Sequence, residues 1–223
     1  MSVTSGGGSG IPSPRMEPAL LTIVRHGETS ANVDGVWHGS IDTELTPRGI
    51  EQARRAAGAV GALAPRASAL YASPLRRARD TAAAIGTVLG LEAQIDADLA
   101  EYHLGVLEGR TYRELVREHR LFERMGREPD WNPGGGESAR QVATRGANAL
   151  RRIAARHPGE RVVVVSHGGA LTLTFSLLLD GDLSEWKRVM DNCAISELAL
   201  EPTPQLLTFN CVTHLAESPR GDA

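Results

Sequence analysis

The 223-residue sequence is poor in aromatic residues and cysteine and has no excess of positive charge. Aromatic residues make up 4% of the chain, so its 41% apolar share leans on Ala, Leu and Val. That balance predicts a compact, helix-rich core. A formal net charge of −3 excludes a protein that binds nucleic acid through bulk positive charge, so any anion site has to be built locally. The two cysteines, Cys193 and Cys211, suit neither metal-site spacing nor a disulfide framework. They read as buried thiols in a reducing cytoplasm. No apolar run is long enough to span a bilayer, and the N-terminus lacks the apolar core of a signal peptide. The expectation is therefore no membrane association, a cytoplasmic location and, with no internal repeat, no solenoid.

Residues 1–18 are rich in Ser, Gly and Pro and read as a disordered tail or a cloning remnant. Residues 217–223 read as a loose C-terminal tail, which leaves 19–216 as the folded domain. Within it, short apolar runs alternate with helical patterns. Leu20 to Val24 reads as a buried strand, followed by a helix opened by Thr46 as N-cap and Pro47 at its first position. Ile50, Ala53, Ala57 and Val60 give that helix one apolar face. A strand over Ala69–Ala72 leads to Ser73-Pro74, read as the cap of a second helix with Leu75, Ala78, Ala82, Ile85 and Leu89 inward. Gln94–Asp98 is a third candidate strand. The polar stretch Tyr112–Arg127 is expected to lie over the domain as a lid, spanning about 110–135. A helix over 138–156 precedes the strongest strand signal, the four valines 162–165. A helix over 169–179 and strands over 195–200 and 206–212 complete the pattern. Such alternation predicts an α/β fold, a three-layer α/β/α open sheet, mostly parallel, whose ligand sits at the carboxyl ends of the strands.

Three chemical features fall at those strand ends: Arg25-His26-Gly27, the helix start with Arg76 and Arg77, and His167-Gly168. A phosphate dianion needs fixed positive charge, which Arg supplies bidentately, and it also accepts hydrogen bonds from a helix N-terminus. A neutral imidazole is basic enough near pH 7 to attack phosphorus. A protonated imidazole can stabilise the equatorial oxygens, and a carboxylic acid can protonate the leaving alkoxide. Helix geometry alone does not choose between Arg76 and Arg77.

The run Arg25-His26-Gly27-Glu28-Thr29 with Asn32, Asp42, Leu45-Thr46 and Gly49 resembles the opening of the histidine phosphatase superfamily, which includes the cofactor-dependent phosphoglycerate mutases. Ser73-Pro74-Leu75-Arg76-Arg77-Ala78 resembles its second arginine motif, and Leu99-Ala100-Glu101-Tyr102-His103-Leu104-Gly105 its acid motif. Gly135-Gly136-Glu137-Ser138 and Ser166-His167-Gly168-Gly169 are similar to its remaining segments. The resemblance spans about Leu21 to Val212. It implies a phosphoglycerate mutase-like fold, a phosphohistidine formed on His26, and Arg25, Arg77 and His167 around the phosphoryl group. Arg77 is favoured over Arg76 because it directly precedes the Ala of the motif. The resemblance implies Glu101 as acid and then base, with Glu108 and Glu137 as nearby rival carboxylates. Asn32, Glu28, His38, His103 and Gly168 are candidate substrate contacts. Neither metal nor cofactor is implied, and a homodimer is an option that no apolar stripe decides.

The implied activity is hydrolysis of a small phosphorylated metabolite, a phosphosugar or a phosphoglycerate-type compound. Leu104 stands where the mutases carry Tyr, and the segment before Gly135 is short, so a mutase is the runner-up. An inactive scaffold on the same fold is a more distant alternative. Specificity is expected from the loop over 33–44, from the lid over 112–133 and from the surroundings of His103, where Trp37, Trp131 and several arginines favour a polar substrate, anionic or sugar-like. His119, His157 and His214 read as surface residues. Gly134-Gly135-Gly136 follows no strand and lacks the Lys-Ser/Thr end of a nucleotide loop.

Overall fold

The computed structural model describes residues 17–216, so the C-terminal tail over 217–223 and, of the expected tail over 1–18, all but Glu17 and Pro18 lie outside the described residues. In chain order the elements are β1 (Leu20–Arg25), α1 (Ser30–Asp34), α2 (Pro47–Gly61), β2 (Ala67–Ala72), α3 (Arg76–Leu89), β3 (Ala93–Ile95), α4 (Tyr112–Arg117), α5 (Leu121–Arg127), α6 (Ala139–Arg156), β4 (Arg161–Ser166), α7 (Gly168–Phe175), β5 (Ile195–Ala199) and β6 (Gln205–Cys211). The six strands form one sheet in the order β3-β2-β4-β1-β5-β6. Pairing is parallel from β3 to β1 and antiparallel on both sides of β5, so β5 alone runs against the others.

Side-chain alternation along the central strands supplies both cores. Leu21, Ile23, Val162 and Val164 face α6 and α7, where Leu150, Ile153, Leu171 and Phe175 meet them. Val24, Val163 and Val165 face the other layer, built from α2 and α3 through Ala57, Val60, Ala78, Ala82 and Ile85. The valine run is hydrophobic throughout because both of its faces are covered. A third cluster packs the lid helices onto α6 and α7 through Leu115, Leu121, Met125, Val142 and Leu173. Among the described residues no helix is long and apolar enough to cross a membrane.

Several expectations need correction. Ser73 does not cap α3: its N-cap position is Leu75, with no side-chain cap bond, and Ser73 accepts from Leu75 N instead. The capping carboxylate comes from elsewhere in the chain, as Asp42 accepts from Arg76 N at 2.7 Å. The third strand ends at Ile95, and Asp96 opens a short 3₁₀ turn over Ala97–Leu99. The lid helix is split at Arg120, whose φ of 47° lies in the left-handed region. Ile50 is half exposed and does not belong to the buried face of α2. Cys193 is buried but Cys211 is only partly so. His157 and His214 are also partly buried, held by Tyr71 and by the Cys193 carbonyl.

The turn after β1 depends on two glycines. A Cβ on Gly49 would stand 2.1 Å from the Glu28 carbonyl oxygen, and one on Gly27 would stand 2.5 Å from the Gly49 carbonyl oxygen. Backbone meets backbone here, so no side chain can rotate away. Gly49→Ala is therefore expected to destabilise the protein by about 2 kcal/mol or more, read as a lowered urea midpoint.

Candidate active site

Sheet register brings the sequence features together. Arg25 pairs with Ser166 across β1 and β4, and Ala72 pairs with Val165 across β2 and β4. The residues that follow, His26, Ser73 and His167, emerge side by side at the carboxyl edge. His26 N donates to Ser166 O at 3.0 Å, and Ser73 N to Val165 O at 3.0 Å. The rings of His26 and His167 lie 5.0 Å apart, tilted by 57°. Both are buried.

The tautomer of His26 follows from one contact. Its Nδ1 lies 2.7 Å from the Gly27 carbonyl, which can only accept, so Nδ1 carries the proton and Nε2 keeps its lone pair. Burial, then Arg77 and then Arg25, hold its pKa well below the ordinary imidazole value. His167 is shifted in the same direction, first by burial and then by Arg77. Its Nε2 meets Ser73 Oγ at 2.6 Å, while its Nδ1 is buried without a partner. The Asn192 amide donates to the His26 carbonyl at 3.0 Å and fixes the turn from behind.

Arg25 and Arg77 line the same cavity as His26, of about 220 Å³. Arg25 donates from Nη1 to the Met190 carbonyl, and its buried Nε has no partner. Arg77 is nine-tenths buried or more and donates to the carbonyls of Gly39 and Ile41 at 2.7 and 3.0 Å. Arg76, in contrast, is exposed and paired with Glu44 and Asp80. Gly168 is the first residue of α7, and a Cβ there would come within 3.2 Å of the Arg25 guanidinium. A glycine thus lets the arginine lie against the helix N-terminus.

The three rival carboxylates separate cleanly. Glu101 lines the cavity and accepts from Gly169 N and Ala170 N at 3.1 and 2.7 Å, capping α7. Glu137 is bound to Arg145, which also holds the carbonyls of Asp98, Ala100 and Glu101. Glu108 accepts from Ser40 N and Ser40 Oγ, both at 2.8 Å, and contacts His103.

Of the candidate substrate contacts, Asn32, His38 and Gly168 line the cavity, and Glu28 and His103 do not. Glu28 is bound to Thr46 and Arg48, where it pins the start of α2. His103 is turned toward Glu108, because its place on a coil removes the shared face a strand would have given it. Asn32 Oδ1 accepts from Thr29 and Asn192, which leaves its Nδ2 to the cavity. Trp131 lies under Arg124 and is not part of the lining. Ser73, Thr43, Tyr112, Trp186, Val189 and Asn192 are site residues that motif reading did not single out.

The model of the histidine phosphatase superfamily (branch 1) matches residues 21–211. The chain belongs to the histidine phosphatase superfamily. It is 33% identical over 195 residues to a glucosyl-3-phosphoglycerate phosphatase of Mycobacterium tuberculosis, covering 82% of this chain and 86% of that one. It is 40% identical over 159 residues to a metal-independent phosphoserine phosphatase of Arabidopsis thaliana, 70% of this chain and 66% of that one. A phosphoserine phosphatase of Entamoeba histolytica, solved with 3-phosphoglyceric acid, superposes with a TM-score of 0.80 at 29% identity, over 89% of this chain and 100% of that one. The superfamily's α/β architecture is thus the one this sequence adopts.

Within this histidine phosphatase chain, Ser73 has a testable role as a positioning residue. Ser73→Ala removes the contact at His167 Nε2 while leaving the backbone bond at Ser73 N. The expected result is a roughly ten-fold lower kcat, consistent with about 1.4 kcal/mol for one lost hydrogen bond, and an altered pH profile. A kcat loss with an unaltered profile would mean that Ser73 only packs.

Proposed function

We propose that this chain is a metal-independent phosphomonoester hydrolase of a small phosphorylated metabolite, acting through a phosphohistidine at His26. The observation that supports the reading is the tautomer of His26, whose unprotonated Nε2 lies in the field of Arg25 and Arg77 in the same cavity as Glu101. In the first step Nε2 attacks phosphorus and the P–O bond to the leaving alcohol breaks. Arg25, Arg77, His167 and the Gly168 amide hold the non-bridging oxygens. Glu101 gives a proton to the leaving alkoxide, then takes one from the water that breaks the P–N bond. Phosphate leaves and His26 returns to its starting form. Asn32 and His38 contact the bound ester, whereas Glu28 and His103 support the loops around it.

No metal is needed in this scheme, because the arginines supply the charge stabilisation a metal ion would give. Among the described residues no three His, Cys, Asp or Glu side chains gather as a ligand set. The test is release of inorganic phosphate from a generic aryl phosphate in the presence of EDTA. Turnover that persists in the chelator supports the reading, and turnover that collapses until metal is restored defeats it. Interconversion of phosphoglycerates without net phosphate release would instead mark a mutase.

A further inference from the structure

The phosphoryl end of the cavity is cationic, but its mouth is aromatic. Trp37, Tyr112 and Trp186 all line it, with Phe122 packed behind them. The Trp37 and Tyr112 rings are 5.4 Å apart, and those of Trp37 and Trp186 are 6.0 Å apart. Trp37 is a fixed platform. It is buried, its Nε1 donates to the Tyr102 carbonyl, and its ring edge fills the space that a side chain on Gly169 would take. Tyr112 is half exposed, so the platform opens to solvent. Beyond Arg25 and Arg77 the lining contains no Lys or Arg, and apart from the nucleophile His26 its one further basic side chain is His38.

With His38 and the Asn32 amide engaged by the phosphoester itself, a second anionic group on the substrate would meet three aromatic rings, Val36 and Val189, with the Glu101 carboxylate nearby. A desolvated charge without a partner opposes binding. A neutral ring, by contrast, presents a flat or C–H-lined face that suits aromatic side chains. Resting on the phosphatase reading above, we propose that the preferred substrate is the monophosphate of a neutral, ring-bearing alcohol, its ring stacked on the Trp37–Tyr112–Trp186 mouth. Short acyclic phosphoesters that carry a carboxylate are poor substrates. The ring is either a sugar or an aromatic system, since both offer the same kind of face.

The test is a kcat/KM panel without added metal. Glucose 6-phosphate and benzyl phosphate represent the two ring types, both with alkyl leaving groups so that chemical reactivity does not decide the ranking. Glycerol 3-phosphate is the neutral acyclic control, and 3-phosphoglycerate and phosphoserine are the charged acyclic ones. At least one ring ester is expected to exceed all three acyclic esters by ten-fold or more, and the ratio of the two ring esters identifies the ring type. Trp186→Leu keeps apolar bulk against Phe122 but removes the aromatic face. It should lower kcat/KM for the better ring ester at least five-fold more than for glycerol 3-phosphate. Val189→Arg, placed at a half-exposed lining position, should raise kcat/KM for 3-phosphoglycerate at least five-fold. An acyclic ester that matches or outruns both ring esters overturns the proposal, as does a Trp186→Leu loss equal across the panel. No turnover of any ester, a generic aryl phosphate included, would be a failure of the phosphatase reading itself.

Discussion

His26→Ala should abolish turnover, with kcat for a generic aryl phosphate lowered by a factor on the order of 10⁴ or more, the scale seen when a nucleophile is removed. The size follows from the geometry. The one other imidazole in the cavity lining is His38, on the 33–44 loop; His167 lies behind the lining, buried, with Nε2 committed to Ser73. Substrate binding should survive in large part, because the arginines and the α7 N-terminus are untouched. KM is therefore expected to change much less than kcat. A second readout is chemical. Wild type quenched in base during turnover should retain labelled phosphate, since a phosphoramidate survives alkali, and the label should be released by acid. The variant should retain none. Undiminished turnover in His26→Ala would exclude covalent catalysis at this residue.

A steep loss of stability in mild acid is the second large effect. His26 and His167 are both held well below the ordinary imidazole value, chiefly by burial and then by Arg77. In the unfolded chain each titrates near about 6.5. Below that pH the unfolded state takes up protons that the native state refuses, so stability is full above about 6.5 and falls as pH drops toward the native values. Each group contributes a slope of about 1.4 kcal/mol per pH unit, and the pair together nearly 3. Urea unfolding at pH 7.5 and 5.5 measures this. The difference in slope between wild type and a His26→Asn, His167→Asn double variant isolates the pair from the carboxylates. Inorganic phosphate should shrink the wild-type slope, because a dianion between the arginines makes a protonated His167 less costly. An identical slope in wild type and double variant would sink the prediction. The same shift keeps His26 unprotonated, and hence nucleophilic, in buffers acidic enough to protonate a free imidazole.

The parts of the fold that could be read from the sequence are those whose causes are local. The four valines 162–165 announce a doubly covered strand, and Thr46-Pro47 announces the start of α2, with Thr46 Oγ1 accepting from Gly49 N. Order along the chain was enough to bring His26, Arg77, Glu101 and His167 to one sheet edge, because parallel strands deliver their carboxyl ends to the same side. What could not be read depends on residues far apart in sequence. The cap of α3 comes from Asp42, 34 positions before its partner, while nearby Ser73 serves His167 instead. Asn192 reaches back 166 positions to His26. Trp186 joins the mouth from a loop with no periodic pattern to announce it. His103, a candidate substrate contact by resemblance, lies on coil outside the lining and faces Glu108, a turn that only the distant Ser40–Glu108 contacts explain.

The Glu108 contacts have a consequence for transplanting specificity between relatives. One carboxylate ties Ser40, on the loop that receives Arg77 through Gly39 and Ile41, to His103 and Leu104, just past Glu101. The two segments form one module, which the Trp37 Nε1 bond to the Tyr102 carbonyl and the Gly109 N bond to the Trp37 carbonyl also hold together. Grafting either loop alone from a homologue would cut these ties and leave both the arginine cradle and the acid misaligned. A donor's 38–42 and 101–108 segments should therefore be exchanged together, with the residue at position 108 carried along as part of the graft.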